Sequence, residues 1–198
     1  MIGFLIFGCE RIEYKKEIDF INTEVECING FAEEIRGEEF CARIDNNEQL
    51  DSLFFCLFTE YLAKRNPKWL EKFKNEFPDS TKPSELYNVV NYYIGVIGES
   101  NTLIWLRDDL LKDCIFPDLD FERYTLLWQT VTTGTCRSPF KVKTIVYKNN
   151  NKKELTFLIN ILNSDRCKGA AIRLSEWILI KKLPIDHKIN YEVNIKTL

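Results

Sequence analysis

The stretch Phe140-Lys-Val-Lys-Thr-Ile-Val-Tyr147, Lys148-Asn-Asn-Asn-Lys152, Leu155-Thr-Phe-Leu-Ile-Asn-Ile161 decides the fold class. Two runs rich in β-branched and aromatic residues flank a polar turn, which is the composition of a β-hairpin. Downstream, Asn163 or Ser164 can cap a helix whose apolar stripe is Ala170, Leu174, Trp177 and Ile178, ending before Pro184. Asn190 to Ile195 reads as a last strand. Upstream the periodicity is helical. Leu50, Leu53, Phe54, Leu57, Phe58, Tyr61 and Leu62 step at helical intervals behind Asn46-Asn47, and Trp69–Phe77 reads as a second, short helix. Pro83-Ser84 opens a helix carrying Leu86, Val89, Val90, Tyr93, Ile94 and Ile97. Another starts at Asn101 and a fifth runs from about Asp120 to Val131. Ile18–Ile35 also fits a helix, while residues 2–9 and 39–44 fit short extended pieces. The expectation is an α+β chain, with an acidic, mainly helical domain over 1–136 and a basic hairpin-plus-helix unit over 137–198.

Charge follows the same division. Residues 137–183 hold eleven basic and three acidic side chains, a local balance of +8, whereas the first 136 residues sum to −11; the whole chain is −3. A positive segment on an acidic body suits a polyanion, and it suits an ordinary solvated face as well. Lys141 and Lys143 alternate with Val142 and so share one face of a strand, with Lys148 at the turn. Arg166, Lys168 and Arg173 gather near the start of the expected helix, where the helix dipole assists phosphate binding. These six form the candidate RNA-binding set.

Other chemistries find little support in the residues. The seven cysteines have no C-x₂₋₄-C spacing and the single histidine is His187, so no zinc site or metal centre is expected. The cysteines read as reduced, buried small hydrophobes. A Ser-His or Cys-His pair would depend on His187, which follows Pro184-Ile185-Asp186 in an expected loop. No phosphate-binding glycine loop is present and no cofactor is expected. No apolar run approaches the ~18 residues that span a bilayer, so the expectation is a soluble, cytoplasmic protein without a membrane partner. The carboxylates Asp108, Asp109 and Asp113, and Asp118, Asp120 and Glu122, are dense but read first as exposed helix ends. Trp69, Trp105, Trp128 and Trp177 read as core anchors.

Two stretches resemble known families. Asn47-Glu48-Gln49-Leu50-Asp51-Ser52-Leu53, leading into Glu60-Tyr61-Leu62 and Arg65-Asn66-Pro67, resembles the signature helix of the ribonuclease III family, Asn-Glu-Arg-Leu-Glu-x-Leu-Gly-Asp. Asp120-Phe121-Glu122 stands where that family has Asp-Ala-Phe-Glu. Pro139-Phe140-Lys141-Val142, Phe157-x-Ile159-x-Ile161, Ser164 and Ala170-Ala171 are similar in order to a double-stranded-RNA-binding domain. The family's Gly-Asp step is Phe54-Phe55 here, so a carboxylate that two-metal hydrolysis needs is missing. The resemblance therefore implies a non-catalytic relative, with Asp51, Asp120 and Glu122 as the residues of a divergent nuclease if activity survives. Arg166-x-x-Gly169-x-Ala171 is similar to the pyrophosphate turn of acetyl-CoA-dependent N-acetyltransferases.

The leading expectation is a non-catalytic RNA-binding protein of a ribonucleoprotein such as the ribosome. The alternative is an inhibitor or immunity-type protein that masks a basic partner through Glu33-Glu34, Glu38-Glu39 and Asp108-Asp109.

Overall fold

Apolar residues at every third or fourth position wind residues 47–65 into the longest helix, and Asn46 caps it by accepting from the Gln49 backbone N–H at 2.8 Å. A computed structural model describes residues 15–35, 39–78, 82–98, 101–112, 114–133, 141–149, 152–163 and 172–197. Its helices are α1 (Glu26–Glu34), α2 (Asn47–Arg65), α3 (Pro67–Glu76), α4 (Pro83–Ile97) and α5 (Asn101–Trp105), the last running on as a π-helical segment, Leu106–Leu111. The strands are β1 (Lys15–Glu17), β2 (Ile21–Thr23), β3 (Cys41–Ile44), β4 (Tyr124–Thr133), β5 (Lys141–Asn149), β6 (Glu154–Asn163), β7 (Ile172–Lys181) and β8 (Lys188–Thr197).

The strands form two four-stranded sheets, β1-β5-β6-β8 and β2-β7-β4-β3, in which only β6 and β8 run parallel. The class is α+β and the expected hairpin is β5–β6. Two buried clusters show the layering. Leu126, Trp128 and Trp177 belong to the cluster built from the helices, with Phe31, Phe54, Phe58 and Tyr61. Their neighbours Leu127, Val131, Ile178 and Ile180 belong to a second cluster with Val146, Phe157 and Ile159 of the other sheet. The β2-β7-β4-β3 sheet is thus the middle layer, with helices on one face and the β1-β5-β6-β8 sheet on the other. Its strand β7, from the C-terminal third, lies between β2 and β4.

Two expected helices are strands. Residues 124–133 form β4 and residues 172–181 form β7, where a helix was expected from Asp120 and from Ser164. The cause is burial on both faces: a middle-layer strand is apolar at consecutive positions and loses the alternation that would reveal it. Leu174, Trp177 and Ile178 mimic a helical stripe, yet Trp177 faces the helices and Ile178 the outer sheet. Residues 164–171, with the expected helix start, lie outside the described residues, as does the extended run at 2–9.

The cysteines also depart from expectation. Cys27 of α1 and Cys114 form a disulfide across 87 residues, and Cys41 and Cys56 are free and exposed rather than buried. Beside that bond α1 approaches the π-helical segment so closely that a Cβ on Gly30 would stand 2.7 Å from Leu110 Cδ2. Among the described residues no helix is long and apolar enough to cross a membrane.

Candidate functional site

Strand alternation sorts the basic residues of β5 onto different faces. Val142, Thr144 and Val146 turn toward the middle sheet, with Thr144 donating to Glu176 of β7 at 3.0 Å. Lys141 and Lys143 therefore stand on the outer face, and both are exposed. The register places Lys143 beside Asn160 of β6, and Asn160 beside Asn194 of β8; Lys141 pairs with Leu162, and Leu162 with Lys196. Asn194 Nδ2 donates to Asn160 Oδ1 at 3.1 Å, which leaves further amide donors and acceptors of this pair directed at solvent. Around the two amides lies a shallow depression of about 260 Å³, rimmed by Lys141, Lys143 and Lys196 and, among the described residues, containing no carboxylate.

The other candidates lie apart from this cluster. Lys148 sits seven residues from Lys141 on the same strand, roughly 23 Å away at ~3.3 Å per residue, and on the opposite face, opposite Lys16 of β1. Arg173 is part-buried. Its guanidinium donates to the carbonyl oxygens of Ala32 and Ile35, closing the C-terminus of α1, and lies 5.6 Å from the Phe40 ring centroid. Arg166 and Lys168 lie outside the described residues.

The acidic candidates are engaged locally. Asp120 accepts from the backbone N–H groups of Glu122 and Arg123 in the turn before β4, and Asp51 lies within α2. Among the described residues no group of three or more His, Cys, Asp or Glu side chains is placed to hold a metal ion. On the helical side Glu34 pairs with Arg65 at 2.9 Å and Asp108 with Arg107 at 2.6 Å. All four tryptophans pack in ring contacts, Trp128 and Trp177 stacking at 4.9 Å.

Lys196, Asn160 and Asn194 complete the outer-face cluster and are absent from the sequence-based set. Their signal was the strict polar alternation Lys188, Asn190, Glu192, Asn194, Lys196 in the last strand. Arg43 of β3 is a second unforeseen residue. Its guanidinium bonds Asp45 at 2.6 Å, the His187 carbonyl at 2.8 Å and the Leu183 and Pro184 carbonyls at 3.0 Å, fastening the loop between β7 and β8. Burial alone raises the Asp45 carboxyl, but the Thr125 hydroxyl, Arg43 and Lys182 more than offset it and hold the group below its ordinary value. Comparison with protein-family models, with curated proteins and with solved structures gives no match.

Proposed function

We propose that this chain is a non-catalytic RNA-binding protein that works as part of a ribonucleoprotein and contacts RNA through the outer face of the β1-β5-β6-β8 sheet. One observation carries the reading. Lys141, Lys143 and Lys196 surround the Asn160–Asn194 pair on an open sheet face with no carboxylate among the described lining residues. Ammonium groups at that spacing neutralise successive phosphates, and side-chain amides between them reach base edges or 2′-hydroxyls. Tyr147, half-buried, continues the same face along β5, so a splayed strand of RNA meets cations and one aromatic side chain.

The test is fluorescence anisotropy of the full chain with a labelled single-stranded RNA and a labelled RNA hairpin across a salt series. Binding is expected to weaken with salt. Lys141→Glu, Lys143→Glu and Lys196→Glu are each expected to flatten the log–log slope by about 0.7 on a single strand. Binding unchanged by the triple reversal would sink the reading. Loss on reversal of Asp108 and Asp109 instead, with a basic protein as ligand, would replace it with the inhibitor reading.

A further inference from the structure

At the end of the sandwich opposite to the Lys141 cluster the two sheets part over a cavity of about 390 Å³. Small-molecule sites occupy roughly 300–1,000 Å³. Ile18, Leu155 and Leu183 supply apolar wall, and Lys16 and Lys148 supply charge; Lys181, in register with Tyr124 and on the Trp177 and Leu179 side of β7, projects toward the helical layer. Lys182 also reaches the cavity, but its ammonium is held by the Asp45 carbonyl at 2.7 Å. Glu17 and Asp19 stand at the rim; Glu17 pairs in register with Tyr147 and so projects to the outer face of the sheet.

Lys16 and Lys148 are direct cross-strand partners on the inward face. Like charges opposite one another destabilise a sheet. Among the described residues no carboxylate pairs with Lys16, Lys148 or Lys181. The fold therefore keeps two ammonium groups side by side on the inward face beside this cavity, with no ion pair among the described residues to relieve their repulsion. The side wall is preformed, because Arg43 fastens the carbonyls of residues 183, 184 and 187.

We propose that this groove binds a small organic phosphate monoester, the phosphate against Lys16 and Lys148 and an apolar body over Leu155 and Leu183. A phosphate monoester carries close to two charges and three terminal oxygens, which matches two adjacent ammonium donors better than a single carboxylate does. The site is separate from the proposed RNA face in both residues and position, so either can fail alone.

His187 lines the groove and is the only histidine in the chain, so its ring protons give one unambiguous NMR reporter. The full chain is titrated with 1-naphthyl phosphate, inorganic phosphate and 1-naphthol. The expected result is a saturable shift of the His187 signals, with naphthyl phosphate at least about tenfold tighter than either fragment. Lys16→Ser and Lys148→Ser are each expected to weaken binding by about tenfold. Thermal stability of Lys148→Ser should hold or rise, because repulsion with Lys16 is removed; a lysine kept for structure would lower it. Absence of a saturable shift with the wild-type chain, or equal affinity of the Lys16→Ser/Lys148→Ser variant, overturns the proposal.

Discussion

Arg43 donates to four acceptors from a side chain only 16% exposed, and three of them are loop carbonyls that no other described side chain satisfies. Arg43→Met should cost about 3 kcal/mol in urea unfolding, because Asp45 loses one of its three partners and the Leu183, Pro184 and His187 carbonyls lose the guanidinium. Arg43→Lys should recover little of it, since one ammonium cannot reproduce the fork. Glu176 poses the opposite case. Burial between the sheets pushes its carboxyl above the ordinary 4.5, with Thr144 offsetting part of the effect and Glu24 adding to it. The folded chain thus holds this proton more tightly than the unfolded chain. Stability falls as pH rises from about 4.5 through the raised value. Glu176→Gln keeps the Thr144 hydroxyl bonded and should gain about 1 kcal/mol at pH 7 and nothing near pH 4. A variant no more stable than wild type at pH 7 would refute this. Asp45 has the reverse sign, stabilising above its ordinary 3.8 and ceasing to as pH falls below it.

At the level of elements, legibility tracked how many faces of each segment are wet. α2, α4 and the β5–β6 hairpin each have one solvated side, so Leu50 to Leu62 and Phe140 to Ile161 announce themselves by period. β4 and β7 have none, and Leu126-Leu127-Trp128 reads the same in a helix or a buried strand. The outer-face cluster was half legible: Lys141 and Lys143 follow from alternation along one strand, but the register that brings Asn194 and Lys196 beside them is a tertiary fact. The Cys27–Cys114 bond was hidden for the same reason, its partners being 87 residues apart without a spacing motif. That length predicts its weight. Closing so long a loop disfavours the unfolded chain by about 4 kcal/mol in the chain-entropy account. Reductant, or Cys27→Ser with Cys114→Ser, should therefore lower Tm by several degrees. Identical melts with and without reductant would refute the estimate.

Across the whole molecule, charge is layered as the chain is. In the helical layer Glu34 and Asp108 are already paired, while lysines without an ion pair among the described residues lie on the outermost sheet and at the mouth of the sandwich. The triple reversal at Lys141, Lys143 and Lys196 should leave Tm within about 1 °C, because these groups are exposed and make no ion pair among the described residues. It should also leave the His187 signals in place. The position of β7 has a consequence for synthesis. It separates β2 from β4 in the finished sheet although it is made after both. Until Ile172–Lys181 emerges, Trp128 lacks its Trp177 partner and one edge of β4 is without its strand. At about 5–20 residues per second, the stretch between Thr133 and Ile172 keeps that surface open for roughly 2–8 s. The β5–β6 hairpin can close within microseconds of its completion. The nascent chain thus waits with its middle layer unzipped, and insertion of one late strand is the event that commits it to the native state.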